Sequence, residues 1–308
     1  MAPSSRLDSS APPKQPSLFN LWSRQVTCKP KPVTNVSLVG KTAIVTGASH
    51  GVGLETCRQL LDLGLSRLII VVANELVGRI AAVGLYQGRS PSKVDIDVWK
   101  MDLVCYDSIV AFVERTKTLD RMDIVILNAT LVLEKNVVCK TTGRDLTLQI
   151  NYLSNALLTL LLLPVAKDKR AAQDGEPSRI TTISSELAFY SRFNEKNVVS
   201  LLAGLDSPGV YPIDRMMISK LYGQFLTAEL GKQVPSSVAV INCVATGIIC
   251  ESPQRHRGAP GLKGKLAALL VRRLGYNPAV AARSVTDAAV NHGAASHGQY
   301  LSGQKVKP

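Results

Sequence analysis

From Lys41 onward, short runs of consecutive apolar residues alternate with longer segments in which apolar positions recur every three or four residues. Thr42–Thr46 reads as a short strand, apolar without alternation, as expected of a strand covered on both faces. Gly47 to Gly53 follows as a glycine-rich turn, and Leu54 to Leu63 as a helix stopped by Gly64. Leu68–Val72 predicts a second strand, with a helical stretch to about Val83. Val94–Lys100 predicts a third strand, Tyr106–Thr118 a helix and Ile124–Leu127 a fourth strand. A long helix is predicted from Thr142 to Val165, then a fifth strand over Arg179–Ser184. Pro212 suits the first turn of a helix running to about Lys232. Val238–Val244 and Gln299–Leu301 predict the last two strands. This alternation predicts an α/β fold, a doubly wound sheet of about seven parallel strands with helices on both faces. Residues 39–308 would form that single domain. Residues 1–38 would be a partly flexible, Pro- and Ser-rich extension in which Leu18–Trp22 makes a packing turn.

A chain of 308 residues with 46% hydrophobic content is long enough to bury the core such a domain needs. The longest strongly apolar stretch, Ala156 to Ala166, is interrupted by Thr159 and Pro164, well short of the roughly 20 residues of a membrane span. No span is therefore expected. Met1 to Pro16 lacks an apolar run of signal-peptide length, so the expected location is cytoplasmic. Cys28, Cys57, Cys105, Cys139, Cys243 and Cys250 are scattered, which predicts reduced packing residues. His50, His256, His292 and His297 are isolated from other ligand types, so no metal site is expected. The net charge of +13 raises the question of nucleic acid. The densest basic region, Arg255 to Arg273, contains no aromatic residue, whereas single-strand binders place stacking platforms beside their charge. The charge is better assigned to an anionic cofactor or small-molecule substrate, with no nucleic-acid partner.

The strongest chemical signal is Thr46-Gly47-Ala48-Ser49-His50-Gly51-Val52-Gly53, which follows the first strand and opens a helix. Glycines there let the backbone approach a pyrophosphate, and the helix N-terminus offers free N–H groups and a partial positive charge.

The spacing G-x-x-x-G-x-G resembles the short-chain dehydrogenase/reductase family, and further landmarks fall in that family's order. They are Asp102-Leu103, Asn128-Ala129-Thr130, Asn151, Ser184-Ser185 and Ser219-Lys220. The resemblance spans about residues 38 to 304 and looks closest to fungal members acting on secondary metabolites; Arg24-Gln25 in the lead-in fits that group. It implies a Rossmann-type fold that pairs into dimers or tetramers. It also implies a nicotinamide cofactor held by Gly47, Ser49, His50, Gly51, Val52, Gly53, Asp102, Leu103, Asn128 and Lys220. Asn151, Ser185 and Lys220 would be the catalytic residues. NADP is expected, with NAD as the alternative: the second strand ends Val72-Ala73-Asn74 without a carboxylate, and His50 and Arg79 could meet a 2′-phosphate.

The sequence departs from the family pattern at one decisive place. Four residues before Lys220, where the family has its proton-donating tyrosine, stands Met216. A thioether cannot donate a proton. Tyr211 and Tyr222 do not share the helix face of Met216 and Lys220, and Tyr190 would have to swing in from a loop. Thr130 replaces a turn glycine and would crowd the cofactor, while Val244-Ala245-Thr246-Gly247 stands where the family has Asn-Pro-Gly. The expected activity is an NADP-dependent oxidoreductase acting on a ketone or alcohol, with a water held by Lys220, Ser185 or Asn151 in the tyrosine's role. Two alternatives stand beside it: non-redox isomerisation, dehydration or cyclisation on the same scaffold, and a catalytically inactive nucleotide-binding homologue.

Overall fold

The computed structural model describes residues 17–192, 204, 211–250 and 269–307. Much of the basic stretch Arg255 to Arg273, including His256, and most of the segment between Ser191 and Tyr211 lie outside them. In chain order the elements are α1 (Leu18–Thr27), β1 (Thr42–Thr46), α2 (Gly51–Asp62), β2 (Arg67–Val72), α3 (Glu75–Tyr86), β3 (Asp95–Lys100), α4 (Tyr106–Thr116) and β4 (Ile124–Leu127). There follow α5 (Leu146–Leu148), a π-helical turn (Gln149–Ser154), α6 (Asn155–Lys169), β5 (Ser178–Ser184), a 3-10 turn (Glu186–Tyr190) and α7 (Pro212–Gln233). β6 (Ala239–Ala245), α8 (Pro278–Val290), β7 (Gln299–Ser302) and β8 (Lys305–Lys307) follow, with short 3-10 turns at Arg170–Gln173 and Ala294–Ser296.

The strands form one sheet in the order β3-β2-β1-β4-β5-β6-β7-β8. Consecutive strands run leftward from β1 and then jump to its other side at β4, so the switch point lies between the C-terminal ends of β1 and β4. In such sheets that crevice is where ligands bind. The unbroken apolar character of β1 is explained by its two faces. Ala43 and Val45 pack with Cys57 and Leu60 of α2 and Val285 and Ala288 of α8, whereas Ile44 packs with Ile109 and Phe112 of α4 and Leu158 and Leu162 of α6.

The sheet has eight strands where about seven were expected, and the eighth is antiparallel. β7 and β8 are joined by Gly303 and Gln304, both with positive φ (58° and 59°), as a two-residue hairpin requires. Gln304 carries no turn signature, which hid the hairpin. The helix expected from Thr142 begins instead at Leu146, where the Asp145 carboxylate accepts from the Leu148 N–H at 3.0 Å, and runs on past Val165 to Lys169. Leu18–Trp22 is the first half of α1, capped by Ser17, rather than an isolated turn. The helical run Leu146–Gln173 is long and apolar enough, by length and composition only, to cross a membrane, a test that a buried core helix also passes. Half of its most apolar window is buried within this fold.

Candidate active site

A cavity of about 530 Å³ opens at the switch point. One end is built by the turn after β1. Gly47 turns at φ 64° and donates its N–H to Val71 O at 2.8 Å. A Cβ there would lie 2.8 Å from Ala129 Cα, and one on Gly53 would lie 2.4 Å from Asn128 Nδ2 and 2.5 Å from Gly47 O. These two glycines are demanded by packing; Gly51, with open space around it, is demanded by its φ of 59°. Asn128, at the end of β4, locks the turn by donating to Thr46 O and Gly47 O at 3.0 and 3.1 Å. His50 at the N-cap of α2 makes no side-chain cap, so the first N–H groups of that helix point to the cavity mouth unclaimed by a capping side chain.

The wall continues through Val72, Ala73 and Asn74 after β2, and through Asp102 and Leu103 after β3. Asn74 caps α3, accepting from the Leu76 N–H at 3.0 Å. Asp102 accepts from the Val104 N–H at 2.9 Å, folding its carboxylate onto its own turn. Arg79, expected near a phosphate, instead pairs with Glu75 at 2.7 Å and does not line the cavity. That hydrogen bond holds the Glu75 carboxyl below its usual range, with smaller contributions from the charges of Arg79, Lys100 and Arg115.

The other end is formed by the residues after β5 and by α7. Ser185 lines the cavity and accepts from the Leu187 N–H at 3.2 Å. Met216 is buried on the cavity wall one helical turn before Lys220, the stacking expected at i and i+4. Lys220 Nζ donates to Thr130 Oγ1 and to Ile183 O, each at 2.8 Å. Both acceptors are neutral, and burial lowers the lysine pKa to about 7 because a charged ammonium is poorly solvated there. Thr130 was expected only to crowd the cofactor; its hydroxyl instead anchors the lysine. A hydroxyl in that turn was the signal for this contact, and reading the residue as bulk alone missed it.

Of the expected site residues, the structure brings Gly47, Ser49, His50, Gly51, Val52, Gly53, Asp102, Leu103, Asn128, Ser185 and Lys220 to one cavity. Asn151 is not among them. It sits behind the wall, accepting from Leu131 N at 2.7 Å and donating to Leu131 O and Ser219 Oγ at 2.8 and 3.2 Å. Its side chain therefore ties the cavity-lining Leu131 to α7, and does not face the cavity. Among the described residues no tyrosine lines the cavity. Tyr211 is exposed at the N-cap of α7, and Tyr222 is buried against Tyr152 with ring centres 5.2 Å apart. The remaining described histidines are used elsewhere. His292 Nε2 lies 2.7 Å from Asp287 Oδ2, and His297 links Val234 O to the Ile241 N–H.

Residues 41–197 match the family model described as short chain dehydrogenase. The chain is 38% identical over 305 residues to the short-chain dehydrogenase fogG of Aspergillus ruber, covering 97% of this chain and 87% of that one. It is also 38% identical over 294 residues to the short chain dehydrogenase sol3 of Alternaria solani, covering 94% and 99%. Among solved structures it is similar in fold to an NADPH-bound short chain oxidoreductase of Pseudomonas aeruginosa described as containing an atypical catalytic center. That match has a TM-score of 0.62 at 18% identity, over 87% of this chain and 96% of that one. An ordered glycine turn, a switch-point cavity ending at Ser185 and Lys220, and sequence identity along nearly the whole chain lead to one conclusion: this protein belongs to the short-chain dehydrogenase family.

Proposed function

We propose that this protein is an NADP-linked oxidoreductase that interconverts a ketone and an alcohol of a small organic metabolite, in secondary-metabolite biosynthesis. The observation that carries the reading is the continuous cavity from the glycine turn to Ser185 and Lys220. Its residues fit a dinucleotide: the turn has no room for a Cβ at Gly47 or Gly53, and the N-terminus of α2 has no side-chain cap. Gly47, Ser49, His50 and Gly51 would hold the pyrophosphate, and Asp102 and Leu103 would border the adenine. When bound, the nicotinamide supplies or accepts hydride.

NADP rather than NAD is supported by charge. No carboxylate ends β2, Asn74 supplies only an amide, and the nearest acid, Glu75, is occupied by Arg79. A 2′-phosphate would meet no free negative charge there.

The proton has to come from a group other than the tyrosine that Met216 replaces. Lys220 Nζ, shared with Thr130 Oγ1, is the group of suitable pKa at that end, and Ser185 Oγ can orient the carbonyl oxygen. Asn151 is spent on Leu131 and Ser219, and the Thr130 hydroxyl accepts from Lys220 and donates to Asn128 O at 3.2 Å, so the relay would run from Lys220 through a water to the substrate oxygen. The test is fluorescence titration with NADPH and NADH, followed by nucleotide consumption over a panel of ketones. Micromolar binding that favours NADPH, with slow turnover, is expected. No binding of either nucleotide at millimolar concentration would overturn the reading.

A further inference from the structure

Helix α1 lies outside the sheet, yet two of its adjacent side chains reach the catalytic end of the cavity. Gln25 is buried, and its amide makes a two-way clasp on one residue: Oε1 accepts from the Ile248 N–H at 3.1 Å and Nε2 donates to Ile248 O at 2.8 Å. The same Nε2 lies 3.3 Å from Leu274 O. Ile248 sits between Gly247 and Ile249, both of which line the cavity. The fit is close enough that a Cβ on Gly247 would approach Gln25 Oε1 to 2.9 Å and the Tyr276 ring to 2.8 Å. Tyr276 in turn donates its hydroxyl to Cys28 O, just past the end of α1, at 3.0 Å.

Arg24 points to the other wall. Its guanidinium pairs with Glu186 at 3.0 Å and donates to Ser302 Oγ at 2.7 Å, while Ser302 donates to the same carboxylate. Glu186 follows Ser185 directly and opens the 3-10 turn that Ser185 caps. Two neighbouring residues of one helix outside the sheet thus grip the loops that follow the adjacent strands β5 and β6. None of these contacts touches the glycine turn. Ile248 O also accepts from the Tyr276 N–H at 2.8 Å, so removing the Gln25 amide strips the acceptor from the buried Ile248 N–H and one of two donors from its carbonyl.

We propose that Arg24 and Gln25 are positioning residues: α1 sets the placement of the 246–249 wall and of Ser185, and thereby the binding of the nicotinamide half of the cofactor. For its ligand the proposal rests on the nucleotide reading above; for its geometry it does not.

The experiment compares NADPH with adenosine 2′,5′-bisphosphate, which fills only the adenosine end, on the full chain carrying Gln25→Ala, Arg24→Ala or Arg24→Lys. Gln25→Ala is expected to weaken NADPH about tenfold and leave the bisphosphate within twofold. Arg24→Ala is expected to weaken NADPH about threefold, with Arg24→Lys restoring most of the loss by keeping the charge opposite Glu186. A merely structural helix would change both ligands together or neither, and either result overturns the proposal. Hydrogen exchange on the ligand-free protein separates the two readings if the wild type binds neither ligand. Faster exchange at 246–249 in Gln25→Ala and at 185–190 in Arg24→Ala, with 47–53 unchanged, upholds the positioning role alone. Unchanged exchange at those loops overturns it. Should Gln25→Ala fail to fold, the half-exposed Arg24 pair decides the question.

Discussion

The two ends of the cavity are built by different means. At the end proposed for the nucleotide phosphates the chain positions itself: Gly47 and Asn128 directly follow strand ends, Gly53 lies in the first turn of α2, and their contacts are backbone or one amide to backbone. At the catalytic end distant side chains do the positioning. Thr130 and Ile183 hold Lys220, Asn151 holds Leu131, Gln224 holds Ser184, and α1 holds both outer loops. A site fixed by backbone geometry tolerates little change. One fixed by side chains can have its chemistry altered residue by residue while the scaffold stays intact, and on the function proposed above Met216 is read as such an alteration. The buried Met216 lines the same cavity as Ile183 and Lys220, and Asn128 rather than this residue locks the glycine turn, so the nucleotide end is expected to bind with methionine at this position.

That expectation is broken or sharpened most strongly by Met216→Tyr. If the catalytic end lacks only its acid, the new phenol, stacked one turn before Lys220, should raise carbonyl reduction by roughly 10²- to 10⁴-fold. NADPH affinity should move little. The check is kcat and Kd measured side by side on the variant and the wild type. A wild type that turns over as fast as its variant would mean that Lys220 already supplies the proton fully. No gain in the variant despite intact binding would favour non-redox chemistry on this scaffold.

The same contrast governs what was legible in the sequence. The strands and the glycine turn are written in local patterns: β1, β2, β4 and β6 are mainly apolar runs, β3 and β5 mix apolar with polar positions, and the turn carries its three glycines in place. The switch point followed from their order. What escaped was long-range or unsigned locally. Gln304 adopts a positive φ without being glycine or asparagine, which concealed β8. Gln25 and Ile248 are 223 residues apart, and no pattern joins them. Asn151 enters the catalytic set through its place in the family motif, which says nothing about which way its amide points. Thr130 was read by its bulk, while its function here comes from its hydroxyl.

The next largest effect concerns Lys220. Its folded pKa of about 7 lies below the value near 10.4 of a solvated lysine, so between those limits the unfolded chain binds the extra proton. Its contribution to stability therefore rises as pH rises through 7; at low pH the buried ammonium is a cost. Against Lys220→Met as reference, the wild type should gain about 3 kcal/mol between about pH 6 and about pH 9.5, read from urea unfolding at each pH. Using the difference between the two proteins cancels the buried thiols, which titrate in both. A flat difference would show that the ammonium is solvated, and the catalytic end would then be wetter than its geometry implies.

The smallest effect tests the adenosine end. Asn74→Asp keeps the cap on α3, since aspartate accepts the Leu76 N–H as well as asparagine does. It adds a carboxylate at the end of β2, where a ribose hydroxyl is welcome and a 2′-phosphate is repelled. The ratio of NADPH to NADH affinity should fall by about tenfold, and exchange at 246–249 should not change. Because Asn74 is not among the groups that hold Lys220, the substitution should leave the gain from Met216→Tyr intact when NADH is the donor. If Asn74→Asp instead altered the catalytic gain, coupling would have to run through the cavity wall itself. Lys220 is joined to the glycine turn through Thr130, whose hydroxyl donates to Asn128 O at 3.2 Å, and through Asn128, whose amide donates to Thr46 O and Gly47 O; a shift of that turn would be the route, and exchange at 47–53 would reveal it.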